Sequence, residues 1–399
     1  MNSAIRMGRL NAETQRTQRH AERRGVFPCR RLTVSFFSAS LCELRVSALK
    51  CKPHVSDFLR TSDFGLRIGL TTSLLALAAA SSQLMAGANA QPAAPARASS
   101  QYVRFYSPTS FWNTPLPANP PLAPDSATMA QASLTRFGAR AGFCNGAFGM
   151  PLAYACSTDK LYTVRCTIYG SPSAAPGGPG VQFPIPAGAK RATGSDHALT
   201  VVYPAMDGSP YAGKELDMWV ARYDPSNDTW SAGTVVVNDL FGWGATCPQG
   251  QHCNGGRAAG FASLGGAVRP EEIAQGHIDH ALAFATPYNL ARYISCPATH
   301  TDGKAPAPAL PEGARIQLDP GYDVEAQNWP RWVKIIARAM QTYGAYNGDY
   351  SDVLVIFGVT EQNAGVPSWS SVGVPVDQYN DLNMLPWGRM RVIQFTSCN

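Results

Sequence analysis

Apolar positions along this chain recur mostly at every second residue, the period of a half-buried strand. The stretch 214–223 is the clearest case. Leu216, Met218 and Val220 fall on one face, and Glu215, Asp217, Trp219 and Tyr223 fall on the other. The same pattern, or a β-branched and aromatic run, predicts strands over 161–169, 181–185, 197–203 and 229–239. The segment 277–285 alternates as well, with Ile278, His280, Leu282 and Phe284 on one face and His277 and Asp279 on the other. Shorter strands are expected over 315–318, 353–359 and 391–395, and an aromatic-rich extended segment over 102–116.

A helical period takes over in three places. Over 125–140, Ala127, Ala130, Leu134 and Phe137 form a stripe, with Asp125 as the expected cap. A short helix starts at Arg269, with Pro270 in its first turn and Glu271 and Glu272 favouring the N-terminal dipole, and stops at Gly276. The strongest pattern is 328–343, where Trp332, Ile335, Ile336, Ala339 and Met340 share a face and Gly344 ends the helix. Loops are expected at 171–180 and 306–313. The glycine-rich run 254–266 predicts a close approach to a sheet. No internal repeat is visible. Many short strands between Gly/Pro turns predict a mainly β protein, a β-sandwich or jelly roll with two or three peripheral helices.

The N-terminal pattern is different. Arg67 precedes an apolar run over 68–80 that leads to Ala88-Asn89-Ala90, the layout of a signal peptide with an A-x-A cleavage site. The run is short for a membrane span, which takes about 20 residues. The expected organisation is therefore a leader over 1–64, a signal peptide over 65–90, a linker over 91–101 and one β-rich domain over 102–399. The leader suggests that translation starts further down, the alternative being an unusually long basic segment. Thirteen of the 33 Lys and Arg residues and five of the 27 Asp and Glu residues precede residue 91. The net charge of +6 belongs to that part, and the remainder has 20 basic and 22 acidic residues. A nucleic-acid partner, which needs a basic face, is not expected, nor is a membrane span in the mature form. A secreted or periplasmic location makes Cys144, Cys156, Cys166, Cys247, Cys253, Cys296 and Cys398 candidates for disulfides. Pairs Cys247–Cys253 and Cys296–Cys398 are plausible, with one pair among the first three and one thiol left over.

Chemistry has few places to sit. There is no G-x-S-x-G elbow, no H-E-x-x-H helix and no phosphate loop. His197 opens one strand, Asp217 lies on another, and His277, Asp279 and His280 share a third segment. Were these strands neighbours, His197, Asp217 and His280 would line one groove. There a carboxylate could orient an imidazole for proton removal or water activation. Trp219, Trp243, Glu215, Tyr223, Asp279, His277 and Arg257 are the expected substrate-binding groups around it. Tryptophan suits the apolar C–H face of a sugar. For elimination at a uronate, His197 or His280 would be the base, Tyr203 or Tyr223 the acid, and Arg222 or Arg257 the neutralising cation. A metal at His197, Asp217 and His280 is geometrically conceivable, but no metal or other cofactor is expected. Glu215-x-Asp217 is similar to the E-x-D-x-x-E strand of laminarinase-type glycosidases. Here the last position is Val220, so one catalytic carboxylate is missing.

Ser195-Asp-His-Ala-Leu-Thr-Val-Val, Glu215-Leu-Asp-Met-Trp, Arg269-Pro-Glu-Glu-Ile and Gly276-His-Ile-Asp-His-Ala-Leu resemble the motifs of a family of secreted bacterial β-sandwich proteins. The resemblance covers most of the mature chain. It implies export and a shared layout that includes His197, Asp217 and His280, and it implies no reaction. The expectation is a polysaccharide-active enzyme working by elimination or hydrolysis. The alternative is a non-catalytic protein that binds glycans or cell surfaces.

Overall fold

The structure is a computed structural model that describes residues 103–169, 182–204, 209–377 and 379–398. The expected leader, signal peptide, linker and 171–180 loop lie outside the described residues.

Twelve strands build two main sheets: β1 (Gly142–Cys144), β2 (Met150–Tyr154), β3 (Leu199–Val202), β4 (Lys214–Trp219), β5 (Thr234–Asp239), β6 (Leu282–Thr286), β7 (Arg315–Leu318), β8 (Ala345–Tyr350), β9 (Val355–Phe357), β10 (Val359–Thr360), β11 (Asn380–Asp381) and β12 (Met390–Val392). Seven form a sheet in the order β11-β1-β9-β6-β8-β7-β12, and five form a second in the order β5-β4-β3-β2-β10. The protein is mainly β with few peripheral helices, as the alternation predicts. Pairing is mixed, which alternation alone does not foretell. β1 with β9, β6 with β8 and β2 with β3 run parallel, while β3–β4–β5 is an antiparallel meander. β9 and β10 are separated only by Gly358, yet they belong to different sheets. A Cβ on Gly358 would lie 2.5 Å from the Phe143 ring, so the crossing is closely packed.

One face of β3–β4–β5 carries Leu199, Val201, Leu216, Met218, Val235 and Val237 into an apolar cluster with Phe183 and Trp230. The other face carries Thr200, Glu215, Asp217 and Asn238, all buried. Alternation implies one covered face, and here both faces are covered. The glycine-rich loop packs directly on the polar one. A Cβ on Gly256 would come within 2.3 Å of Asp217 Oδ2. β4 ends at Trp219 rather than at 223, because Val220 takes φ +53° and turns the chain.

The helices keep their places with altered ends. α1 is composite: Ser126–Ala130, a π segment Gln131–Thr135, and Arg136–Gly138. Asp125 makes no side-chain cap and Ala127 is exposed. Ser126 faces inward instead, its Oγ accepting the Val392 N–H at 2.7 Å. Ser133 Oγ likewise accepts the Leu310 N–H at 2.9 Å, so this helix face satisfies strand backbone as well as burying carbon. α2 spans Pro270–Gln275. α3, Arg331–Thr342, buries the expected stripe, with Pro330 at its N-cap where no N–H is needed.

Two strand expectations break up further. The 161–169 run divides at Val164, into Leu161–Thr163 and Arg165–Cys166. Residues 277–281 are not in a strand, since β6 starts at Leu282. Cys247–Cys253 and Cys296–Cys398 are disulfides. Cys144 and Cys166 keep free thiols, so no pair forms among Cys144, Cys156 and Cys166. No helix among the described residues is long and apolar enough to cross a membrane.

Candidate functional site

Where the two sheets meet, the seam opens into a cleft of about 610 Å³. Cys144, Val355 and Phe357 reach it from the larger sheet, and Met150, Trp219 and Thr234 reach it from the smaller one. Two aromatic pairs line it. Tyr169 stacks on Trp219 with centroids 6.0 Å apart, and Phe148 stacks on Tyr379 at 6.3 Å and 9°.

Asp349 owes its position to a β-bulge. β6 and β8 pair Phe284 with Asn347 and Ala285 with Asp349, so Gly348 is the extra residue. A bulge re-aims the side chain that follows it. The Gly348 carbonyl accepts the Ala259 N–H at 3.0 Å, which fastens the bulge to the glycine-rich loop. Burial, then the negative charge of Asp302, raise the Asp349 carboxyl to about 7, while Arg257 pulls it the other way.

The segment after Cys296 delivers two more groups to the cleft. Thr299 donates its N–H to Ala259 O at 2.9 Å, and His300 Nδ1–H donates to Ala258 O at 2.9 Å. A carbonyl can only accept, so Nδ1 carries a proton. Asp302 follows. Its Oδ1 has no hydrogen-bond partner among the described residues. Its N–H donates to Glu312 Oε2 at 3.2 Å. Glu312 itself is buried and held well above the ordinary carboxylate range by that burial and by Asp302. Asn289 Nδ2 joins Glu312 Oε1 (2.9 Å) to the Asp349 carbonyl (2.8 Å), so one network underlies both cleft aspartates.

Arg257 is 3% exposed and lines the cleft. Its guanidinium lies 4.3 Å over the Phe357 ring, and Nη2 donates to Ser263 O at 2.8 Å. Nε and Nη1 have no partner among the described residues. Asp196 also lines the cleft. Burial raises its carboxyl, and a hydrogen bond from Trp219 and nearby His197 oppose the rise.

Of the residues expected from sequence, Trp219 and Arg257 line the cleft. The His197/Asp217/His280 groove does not form. Asp217 is 2% exposed and accepts from Thr200 Oγ1, Asn238 Nδ2 and the Ser263 N–H. His280 is buried with both ring nitrogens engaged: Nδ1 is 2.9 Å from Ala281 O and Nε2 is 2.8 Å from Glu272 Oε1. His197 stands beside the cleft at φ +45°, its Nδ1 3.4 Å from Ala192 O. Glu215 is buried on Tyr106 and the Leu264 N–H. His277 and Asp279 pair on the surface at 3.1 Å. Tyr223 bonds Asp228, and Trp243 packs its edge on Phe111. Tyr203 is buried on Pro184 O. Among the described residues no group of three or more His, Cys, Asp or Glu side chains is arranged to hold a metal.

Asp349, Asp302, His300 and Asp196 are the groups that the sequence reading missed. One signal was present: Asn347-Gly348-Asp349 puts a glycine inside a strand, which marks a bulge.

No family model, no curated protein and no solved structure matches the chain.

Proposed function

We propose that this protein is a secreted enzyme that hydrolyses glycosidic bonds in the cleft, with Asp349 as general acid and Asp302 as its carboxylate partner. The observation that carries the reading is Asp349. A carboxyl raised to about 7 is half protonated at neutral pH, as proton donation to a leaving oxygen requires. Two carboxyls in one cleft are what glycoside hydrolysis needs. One protonates the glycosidic oxygen as its bond to the anomeric carbon breaks. The other activates water or attacks that carbon. The aromatic pairs suit the apolar faces of sugar rings. Export is supported by the disulfides Cys247–Cys253 and Cys296–Cys398 and by the apolar run that ends in Ala88-Asn89-Ala90.

A second reading has its own support. His300 Nε2 could take the proton α to a uronate carboxylate, and Arg257 could neutralise that carboxylate.

The test is a panel of polysaccharides, with reducing ends and the ultraviolet absorbance of unsaturated uronates read together. Hydrolysis predicts reducing ends without absorbance. Asp349→Asn lowers kcat on polymer by about 10²–10⁴-fold, and aryl glycosides with good leaving groups recover part of the loss. Wild-type activity falls as pH rises through about 7, because Asp349 loses its proton there. Asp349→Asn cleaving polymer at the wild-type rate would remove Asp349 from the chemistry. Absorbance rising with reducing ends would favour elimination. Binding without cleavage would leave a non-catalytic glycan-binding protein.

A further inference from the structure

The unsatisfied hydrogen-bonding atoms at the cleft are of both kinds. Arg257 Nε and Nη1 are donors without a partner among the described residues, on a side chain 97% buried at the cleft wall. Asp302 Oδ1 is an acceptor without an N–H or hydroxyl donor among them, its carboxyl neighbour being Glu312, and His300 also lines the cleft. A buried donor or acceptor left unmade is expensive, about 1–3 kcal/mol or more when charged. Such atoms beside a cleft point to what fills it.

A sugar hydroxyl accepts and donates at once. Two neighbouring hydroxyls can take N–H bonds from Arg257 and give O–H bonds to Asp302. A carboxylate or sulfate ester only accepts. It would satisfy Arg257 but place its charge against Asp302 and Asp352, and against Asp349 and Asp196 when these are ionised, all of which line the same space. Like charges at that range are repulsive in a partly desolvated site. The Tyr169–Trp219 and Phe148–Tyr379 pairs offer faces that recognise sugar C–H rather than charge.

We infer that the cleft takes an uncharged glycan, and that Arg257 and Asp302 determine this by gripping adjacent ring hydroxyls as a donor–acceptor pair. The inference rests on the glycan-hydrolase reading above and narrows it, setting the polyuronates of the elimination reading aside.

Affinity electrophoresis and reducing-end release separate the two claims. Neutral probes are β-glucan, xylan, galactomannan and arabinan; anionic probes are polygalacturonate, alginate and hyaluronan. The expected result is retention and cleavage on at least one neutral polymer and neither on the anionic ones. Arg257→Met and Asp302→Asn each weaken retention on that polymer at least tenfold, and Arg257→Lys does so less. Near-ultraviolet circular dichroism of each variant checks that it is folded. Retention on an anionic polymer that Arg257→Met abolishes would overturn the inference, making Arg257 a carboxylate clamp. Retention on a neutral polymer that ignores both substitutions would overturn the role of the pair. Neutral retention without cleavage would sink the hydrolase reading and leave the specificity standing. Retention on no polymer would overturn both.

Discussion

Glu215 and Asp217 sit two residues apart on one strand face and share a buried site, so the second negative charge is strongly disfavoured there. Burial and then the charge of Asp217 push Glu215 well above the ordinary range. Asp217 is also raised, by burial, but three donors oppose the rise: Ser263 N–H, Thr200 Oγ1 and Asn238 Nδ2. Glu215 is therefore the neutral member. Its folded-state pKa exceeds its unfolded one, so the native state holds a proton that the unfolded chain releases. Stability is fully present below the ordinary glutamate pKa and declines as pH rises from there toward the raised value. Glu215→Gln cannot ionise. Melting temperatures measured from pH 4 to 8 should show a flatter slope in Glu215→Gln than in wild type. Parallel slopes would mean that another group carries the linkage. Asp217→Asn, by contrast, turns a nitrogen toward donors and should lose about 1–3 kcal/mol.

At the scale of elements, the same pair explains what could be read from the chain. Alternation in 214–219 correctly separates two faces, but it cannot say which one meets water. Glu215 and Asp217 look solvated because acids usually are. They are buried because the 254–266 loop lies on them, and only the glycines hint at that. His280 misleads for a related reason. The 277–281 run alternates, yet Ala281 N–H donates to Trp112 O and the His280 ring is taken by Glu272. Helices were legible because their stripes are local. The cleft was not: its groups sit on a bulge, on the 296–302 segment and on a loop, all brought together by tertiary pairing. Gly256 tests the loop-on-strand packing directly. A Cβ there would stand 2.3 Å from both Asp217 Oδ2 and Ser263 Oγ. Gly256→Ala should destabilise the protein by roughly 1–3 kcal/mol through overpacking. It should also raise KM, since Gly256 lines the cleft. A variant with unchanged unfolding midpoint and KM would show that the loop gives way at no cost.

At the scale of the molecule, two disulfides among the described residues close loops of very different size. Cys247 and Cys253 are six residues apart, and both lie ahead of the glycine-rich loop. Cys296 and Cys398 are 102 apart and tie the C-terminal segment to the stretch that delivers His300 and Asp302. If a disulfide acts by restricting the unfolded chain, stabilisation grows with the logarithm of loop length. The larger loop then contributes about 2.5 kcal/mol more than the smaller. The native contacts around it do not depend on the bond alone. Cys296 N–H donates to Thr396 O and Cys398 N–H to Ile294 O, both at 2.9 Å, so the C-terminal segment stays registered when the sulfurs are removed. His300 and Thr299 have separate anchors on Ala258 and Ala259. Replacing Cys296 and Cys398 together by serine should therefore lower unfolding free energy well beyond the same change at Cys247 and Cys253. Polymer binding at 25 °C should be retained, with thermal inactivation coming earlier. Denaturant unfolding of the two double variants, beside affinity electrophoresis of each, measures both halves. Equal losses in the two variants would reject the loop-entropy account. Loss of binding in the folded Cys296/Cys398 variant would show that the bond itself holds the 296–302 segment against the cleft.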